Sequence, residues 1–187
     1  MTTFQEHEYT TPEDAAIPIK WGFMIAGVTC VLTTINCEIF AGKMIPFFLA
    51  TFIIIVIQAV MIRAMAVRQR EAVGGYINFR NIFRAILITT VIFCVINSVY
   101  YNVYIYFIDP TFKMRNNDAY LNYAVQVNFT QQKLDEIGKK FNEDRKLGFG
   151  IGRELLSLLE EIGFYSIFGL ICAVVIKREH THEVKKR

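Results

Sequence analysis

The side chains most able to do chemistry are few and far apart. Glu38 and Asp109 each sit at the end of a long apolar stretch, and both fall on the side expected to face outward. Two carboxylates sharing one outer site could serve as acid and base. No nucleophile and base pair accompanies them, so no catalytic residue is assigned. Glu179-His180-Thr181-His182-Glu183 offers two imidazoles and two carboxylates, suitable ligands for a transition metal. Without further ligands it reads as a solvated tail, and neither a metal nor a cofactor is expected. Cys30, Cys37, Cys94 and Cys172 all lie in apolar stretches with no Cys-x-x-Cys pair among them, which makes them packing residues. Gly148, Gly150 and Gly152 alternate like a phosphate loop, but no strand precedes them and a hinge is the simpler reading.

The elements that must position these groups are four apolar stretches: Trp21 to Phe40, Met44 to Met65, Ile82 to Ile108, and Ser157 to Ile176. Each is about 20 residues or longer, enough for a helix to cross roughly 30 Å of hydrocarbon. Between Met44 and Ile62 there is no ionised side chain. A soluble surface helix would instead show an apolar stripe backed by charge. A hydrophobic content of 53% and a mean hydropathy of +0.34 point the same way. The fold class expected is all-α, a four-helix transmembrane bundle with an amphipathic extramembrane helix between helices 3 and 4. Residues 1–16 form a polar tail, 17–178 the membrane domain, and 179–187 a basic tail. The spans run about 19–41, 44–66, 82–108 and 155–176, with an excursion over 111–152. Glu6, Glu8, Glu13 and Asp14 ahead of the first stretch are the wrong charge for a cleaved signal peptide.

A net charge of +3 with no basic, aromatic-interleaved surface excludes a nucleic-acid partner. The placement of the basic residues says more. Arg63, Arg68, Arg70, Arg80 and Arg84 flank the link between the second and third spans, and Lys177, Arg178, Lys185, Lys186 and Arg187 crowd the end of the chain. The positive-inside bias puts both clusters, and hence both termini, in the cytoplasm. The Ala41-Gly42-Lys43 turn and the excursion then face outward. The excursion carries Lys113, Arg115, Lys133, Lys139, Lys140, Arg145 and Lys146, diluted by Asp118, Asp135, Glu136, Glu143 and Asp144; long loops are exported largely regardless of charge.

Within the spans, polar residues predict contacts. Gln58 and Asn97 fall at similar depth, and a hydrogen bond or close approach between them would contribute about 0.5 to 1.5 kcal/mol. Thr90, Cys94, Asn97, Tyr101 and Tyr104 share one face of the third helix, a polar stripe that should face protein. Tyr100, Tyr101, Tyr104 and Tyr106 gather at its far end, as an interfacial belt would. Gly163, Ser166, Gly169 and Ala173 recur at intervals of three and four, a surface that lets helix backbones approach. Gly22, Ala26 and Cys30 make a shorter version. In the excursion, Leu134, Ile137 and Phe141 form an apolar stripe, Asp135 with Lys139 and Glu136 with Lys140 are favourable pairs, and Thr130 is the expected cap.

Asn78-Phe79-Arg80-Asn81-Ile82-Phe83-Arg84, the long third helix, and Tyr106-Phe107-Ile108-Asp109-Pro110 carry a resemblance. The chain is similar over roughly residues 18–178 to a bacterial four-span domain-of-unknown-function family, number four-one-nine-nine. The resemblance implies an inner-membrane location and transfers no activity to this chain. Pro110 disfavours helical geometry at Asp109 and so stops the third helix, which explains that pair without chemistry. Three function classes follow, in order. The first is an accessory or scaffolding subunit, partnered by the lipid bilayer and by another membrane protein or a second copy of itself. A small transporter or channel component comes next. Last is an enzyme on a lipid-linked substrate, with Glu38 and Asp109 as its outer-side carboxylates.

Overall fold

A computed structural model describes residues 12–147 and 150–177. The His-containing segment 179–183, the basic residues from Arg178 onward, and Gly148 lie outside the described residues. Among the described residues six α-helices follow in order: α1 (Pro12–Phe40), α2 (Met44–Ala72), α3 (Phe79–Val103), α4 (Phe112–Gln126), α5 (Gln131–Leu147) and α6 (Ile151–Ile176). A single π-helical turn, Tyr104–Ile108, continues α3. Four segments are long and apolar enough to span a bilayer: Ala16–Phe40, Met44–Ala72, Phe79–Ile108 and Ile151–Ile176.

The helices begin and end where backbone chemistry dictates. α1 starts within the stretch assigned to the polar tail, because Pro12 suits a first helical position, where its missing N–H costs nothing. The turn to α2 needs Gly42 at φ 81°, and α2 stops at two successive glycines, Gly74 and Gly75, at φ 82° and 87°. Asn78 then caps α3: its Oδ1 accepts from the Asn81 N–H at 2.8 Å. Asp109, at φ −131° and ψ 80°, takes the extended geometry that a following proline imposes. Asn128, at φ 60°, makes the turn between α4 and α5; asparagine is among the side-chain-bearing residues that tolerate this region best. The excursion thus holds two helices where one was expected. The sequence of α4, FKMRNNDAYLNYAVQ, spreads Asn, Asp and Tyr among its apolar positions and hides the period.

Two compact units are built from these elements. The first consists of 12–26, Gln58–Cys94 and 160–177. Here α1 meets α3 at Gly22, where an added Cβ would lie 2.9 Å from Ile92, and the Thr89 hydroxyl donates to the Pro18 carbonyl at 2.9 Å. α3 meets α6 through Phe93 and Tyr165, whose ring centroids are 5.0 Å apart, and through Gly169 against Ile86. α2 turns Gln58, Ile62, Met65, Ala66 and Gln69 inward at helical spacing. Its Arg70 guanidinium reaches the Ile176 carbonyl at 3.4 Å.

The second unit consists of Gly27–Ile57 and Val95–Leu159. Its core is Cys37, Tyr104, Ile105 and Phe112, against which Phe47 and Tyr101 pack. Asn36 donates from α1 to Thr51 of α2 at 2.9 Å, and the Thr34 hydroxyl hydrogen-bonds that of Tyr100. α5 lies on α4 through Phe141, 5.9 Å from Tyr120 between ring centroids.

Only 11% of the apolar window of α2 is buried, against 39% for α3. Phe48, Phe52, Ile53, Val56 and Val60 of α2 stand exposed. An apolar face of that extent is stable in hydrocarbon and not in water. The molecule is a multi-pass membrane protein.

Candidate functional site

The ionisable and aromatic residues that draw together do so around the π turn. A π turn holds one more residue than an α turn, and its signature bond runs from the Asp109 N–H to the Tyr104 carbonyl at 2.8 Å. The extra residue lets neighbouring tyrosines point different ways. Tyr104 is 1% exposed, and its hydroxyl donates to Glu38 Oε1 of α1 at 2.8 Å. Tyr106 instead meets Lys113 of α4, whose Nζ lies 4.6 Å from the ring centroid and donates to the hydroxyl at 3.1 Å.

Asp109 closes the other side of this clasp. One carboxylate oxygen accepts from the Thr111 hydroxyl at 2.7 Å and from the Thr111 N–H at 3.2 Å, a turn that starts α4. The other oxygen is bound by the Arg115 guanidinium. Phe112 sits beneath, with ring centroids 5.8 Å from Phe47, 6.1 Å from Tyr104 and 6.4 Å from Tyr101. The aromatic packing fixes the backbone on which the two carboxylates are mounted. Glu38 and Asp109 therefore both bear on the π turn, Glu38 held by Tyr104 from another helix and Asp109 held locally by Thr111 and Arg115.

Sequence reasoning found the two carboxylates and missed their partners. The polar stripe of the third helix does face protein at Tyr101 and Tyr104, and all four tyrosines at its far end find protein groups: Thr34 for Tyr100, Phe112 for Tyr101, Glu38 for Tyr104 and Lys113 for Tyr106. The signal was available in Glu38, a carboxylate at the edge of an apolar span that calls for a donor.

The remaining candidates are distributed as follows. Gln58, 4% exposed, accepts a hydrogen bond from the Tyr165 hydroxyl within the first unit. Asn97, half-buried on α3, belongs to the second unit. Gly169 and Ala173 lie on the packed face of α6 with Tyr165, Cys172 and Ile176. Gly163 has nothing within 4 Å of an added Cβ, and Ser166 turns its hydroxyl onto Ile162 of its own helix at 2.6 Å. At 3.6 residues per turn Gly163 lies about 120° round the helix from Gly169, so the small residues do not share a single face. Among the described residues no group of three or more His, Cys, Asp or Glu is arranged to hold a metal ion.

Cavities also lie within the second unit. One of about 290 Å³ lies between the start of α2 and the α4–α5 pair, and includes Asn116, Asn117 and Lys140. A larger one of about 540 Å³ lies between α3 with its π turn and the first turns of α6.

No curated protein and no solved structure matches the chain. A family model described as "Protein of unknown function (DUF4199)" matches residues 20–178, which includes all four spans except the first turn of α1's apolar segment. The chain is a member of the DUF4199 family.

Proposed function

We propose that this chain is an accessory or scaffolding subunit of the bacterial inner membrane, with both termini in the cytoplasm, that holds another membrane protein or a second copy of itself. One observation supports this reading above others: the carboxylates at the π turn are engaged structurally, Glu38 by Tyr104 and Asp109 by Thr111 and Arg115. A carboxylate acting as acid or base must exchange its proton with a substrate group in hydrogen-bond reach. Here Asp109 uses both oxygens, and Glu38 its Oε1, in joining α1, the end of α3 and α4. The arginines about the α2–α3 link favour a cytoplasmic placement of that link.

Affinity purification in a mild detergent tests the accessory role. The reading predicts a stoichiometric membrane-protein partner, or a stable dimer, that persists when Glu38→Gln and Asp109→Asn are introduced. A chain recovered alone as a monomer, or a turnover or solute flux abolished by those two substitutions, would count against it. Orientation is tested with Asn128→Cys on intact cells, where an impermeant thiol reagent should label it; protection would reverse the topology.

A further inference from the structure

The larger cavity is a groove with hydrocarbon walls and a charged end. Val95, Val99 and Val103, with Ser98 and Asn102 among them, form one wall, and Ile151, Leu155 and Leu158 the other. Both walls belong to segments apolar enough to span a bilayer, so the groove opens to lipid. From Val95 to Phe107 the helix rises about 18 Å at 1.5 Å per residue. One hydrocarbon leaflet is about 15 Å thick, half of roughly 30 Å. Along α3 the groove thus runs the depth of a leaflet, and α6 walls about 10 Å of it.

Its volume decides what can lie in it. An α-helix with side chains is about 10–12 Å across, so 540 Å³ would take in only about 5–7 Å of one. A single flexible hydrocarbon chain is much narrower and fits the length. The end of the groove nearest α4 is lined by Tyr106 and Glu154. Lys113 sits on Tyr106 and brings a cation there. Glu154 makes no ion pair with any described residue. The groove therefore ends in one cation and one unpaired carboxylate.

We infer that this groove holds one acyl chain of a bilayer phospholipid whose headgroup carries both a phosphate and a primary ammonium, the phosphate toward Lys113 and the ammonium toward Glu154. A phosphoethanolamine headgroup has that pair of charges, and its two ends match the two side chains in sign. The inference rests on the membrane-spanning helices and is independent of the accessory role, since a lipid is bound whether or not a protein partner is.

The experiment uses the full chain extracted in mild detergent and examined by native mass spectrometry with analysis of the released lipid. The wild type should carry one phospholipid per chain, enriched in ethanolamine species over the surrounding membrane. Val99→Trp with Leu155→Trp fills the groove and should remove that lipid, whereas Val99→Ile with Leu155→Ile should keep it. Glu154→Gln should retain a lipid while its preference for phosphatidylethanolamine over phosphatidylglycerol, in nanodiscs of equal parts of each, falls about fivefold, the upper value for one exposed ion pair. A photoreactive residue at position 155 of the otherwise native chain keeps the test decisive if the filled variant does not fold: cross-links to lipid support the proposal. Cross-links to a second copy or another protein would overturn it, as would a lipid-free wild type or undiminished lipid in a folded, filled variant.

Discussion

Substituting Gly169 by alanine adds one methyl group where the structure has no space for it. The new Cβ would lie 2.7 Å from Ile86 Cγ2, 3.8 Å from Ile86 Cβ and 4.0 Å from Phe83 Cε2. Ordinary carbon contacts lie near 3.5–4.0 Å, so α3 and α6 must separate locally by roughly 1 Å. Ile86 cannot swing clear: Cγ2 is attached at its branched Cβ, which is stiff in a helix, and the residue is fully buried. Overpacking of this kind costs about 1–3 kcal/mol, offset in part by the roughly 0.5–1 kcal/mol that alanine gains over glycine in a helix. We expect a net loss of about 1–2 kcal/mol for Gly169→Ala, read from unfolding of the purified protein in detergent micelles followed by circular dichroism. A double-mutant cycle isolates the contact. Ile86→Ala alone should cost about 2–5 kcal/mol, but in that background Gly169→Ala should be neutral or stabilising, because its methyl fills part of the vacated space. Ile86→Val keeps Cγ2 and should leave the penalty intact. Gly163→Ala, facing open space, should be neutral or gain up to about 1 kcal/mol. A penalty for Gly169→Ala that persists beside Ile86→Ala, or no penalty in the wild-type background, would refute this packing.

Other perturbations probe the polar contacts. Tyr165→Phe keeps the ring packed on Phe93 but deprives Gln58 of its donor; a loss of about 0.5–1.5 kcal/mol is expected in the same unfolding assay, and it should vanish in a Gln58→Leu background. Tyr104→Phe should lower stability by about 0.5–1.5 kcal/mol, near the lower value because Glu38 is exposed, and hydrogen exchange should rise around the π turn and the start of α4.

The spans were readable because hydrocarbon imposes a severe rule: a segment that crosses must satisfy its own backbone and show apolar side chains all round. The stretch Met44 to Ile62 announces α2 by lacking any charge. The ends were less readable, since α2 runs on to Ala72 through Arg63, Arg68 and Arg70, residues that end an apolar window without ending a helix. Which residues meet was harder still. Spacing marked Gly169 as a close-approach position, and it is one; the same spacing marked Gly163, which a rotation of about 120° takes off the packed face. Glu38 and Asp109 stood out as carboxylates at span ends. Their pairing with Tyr104 and Arg115 depends on the π turn, and a single inserted residue per turn leaves no periodic signal. The groove beside α6 was likewise invisible, because a cavity is a property of helix spacing and not of composition.

The central claim is that the exposed face of α2 lies in lipid. A nitroxide spin label introduced at Ile53, midway along the charge-free stretch Met44–Ile62 of α2, in protein reconstituted into phospholipid nanodiscs, reports this through its collision rates with molecular oxygen, which concentrates in hydrocarbon, and with a water-soluble nickel complex. Frequent oxygen collisions and scarcely any with nickel are expected; frequent nickel collisions at that position would put this face of α2 in water.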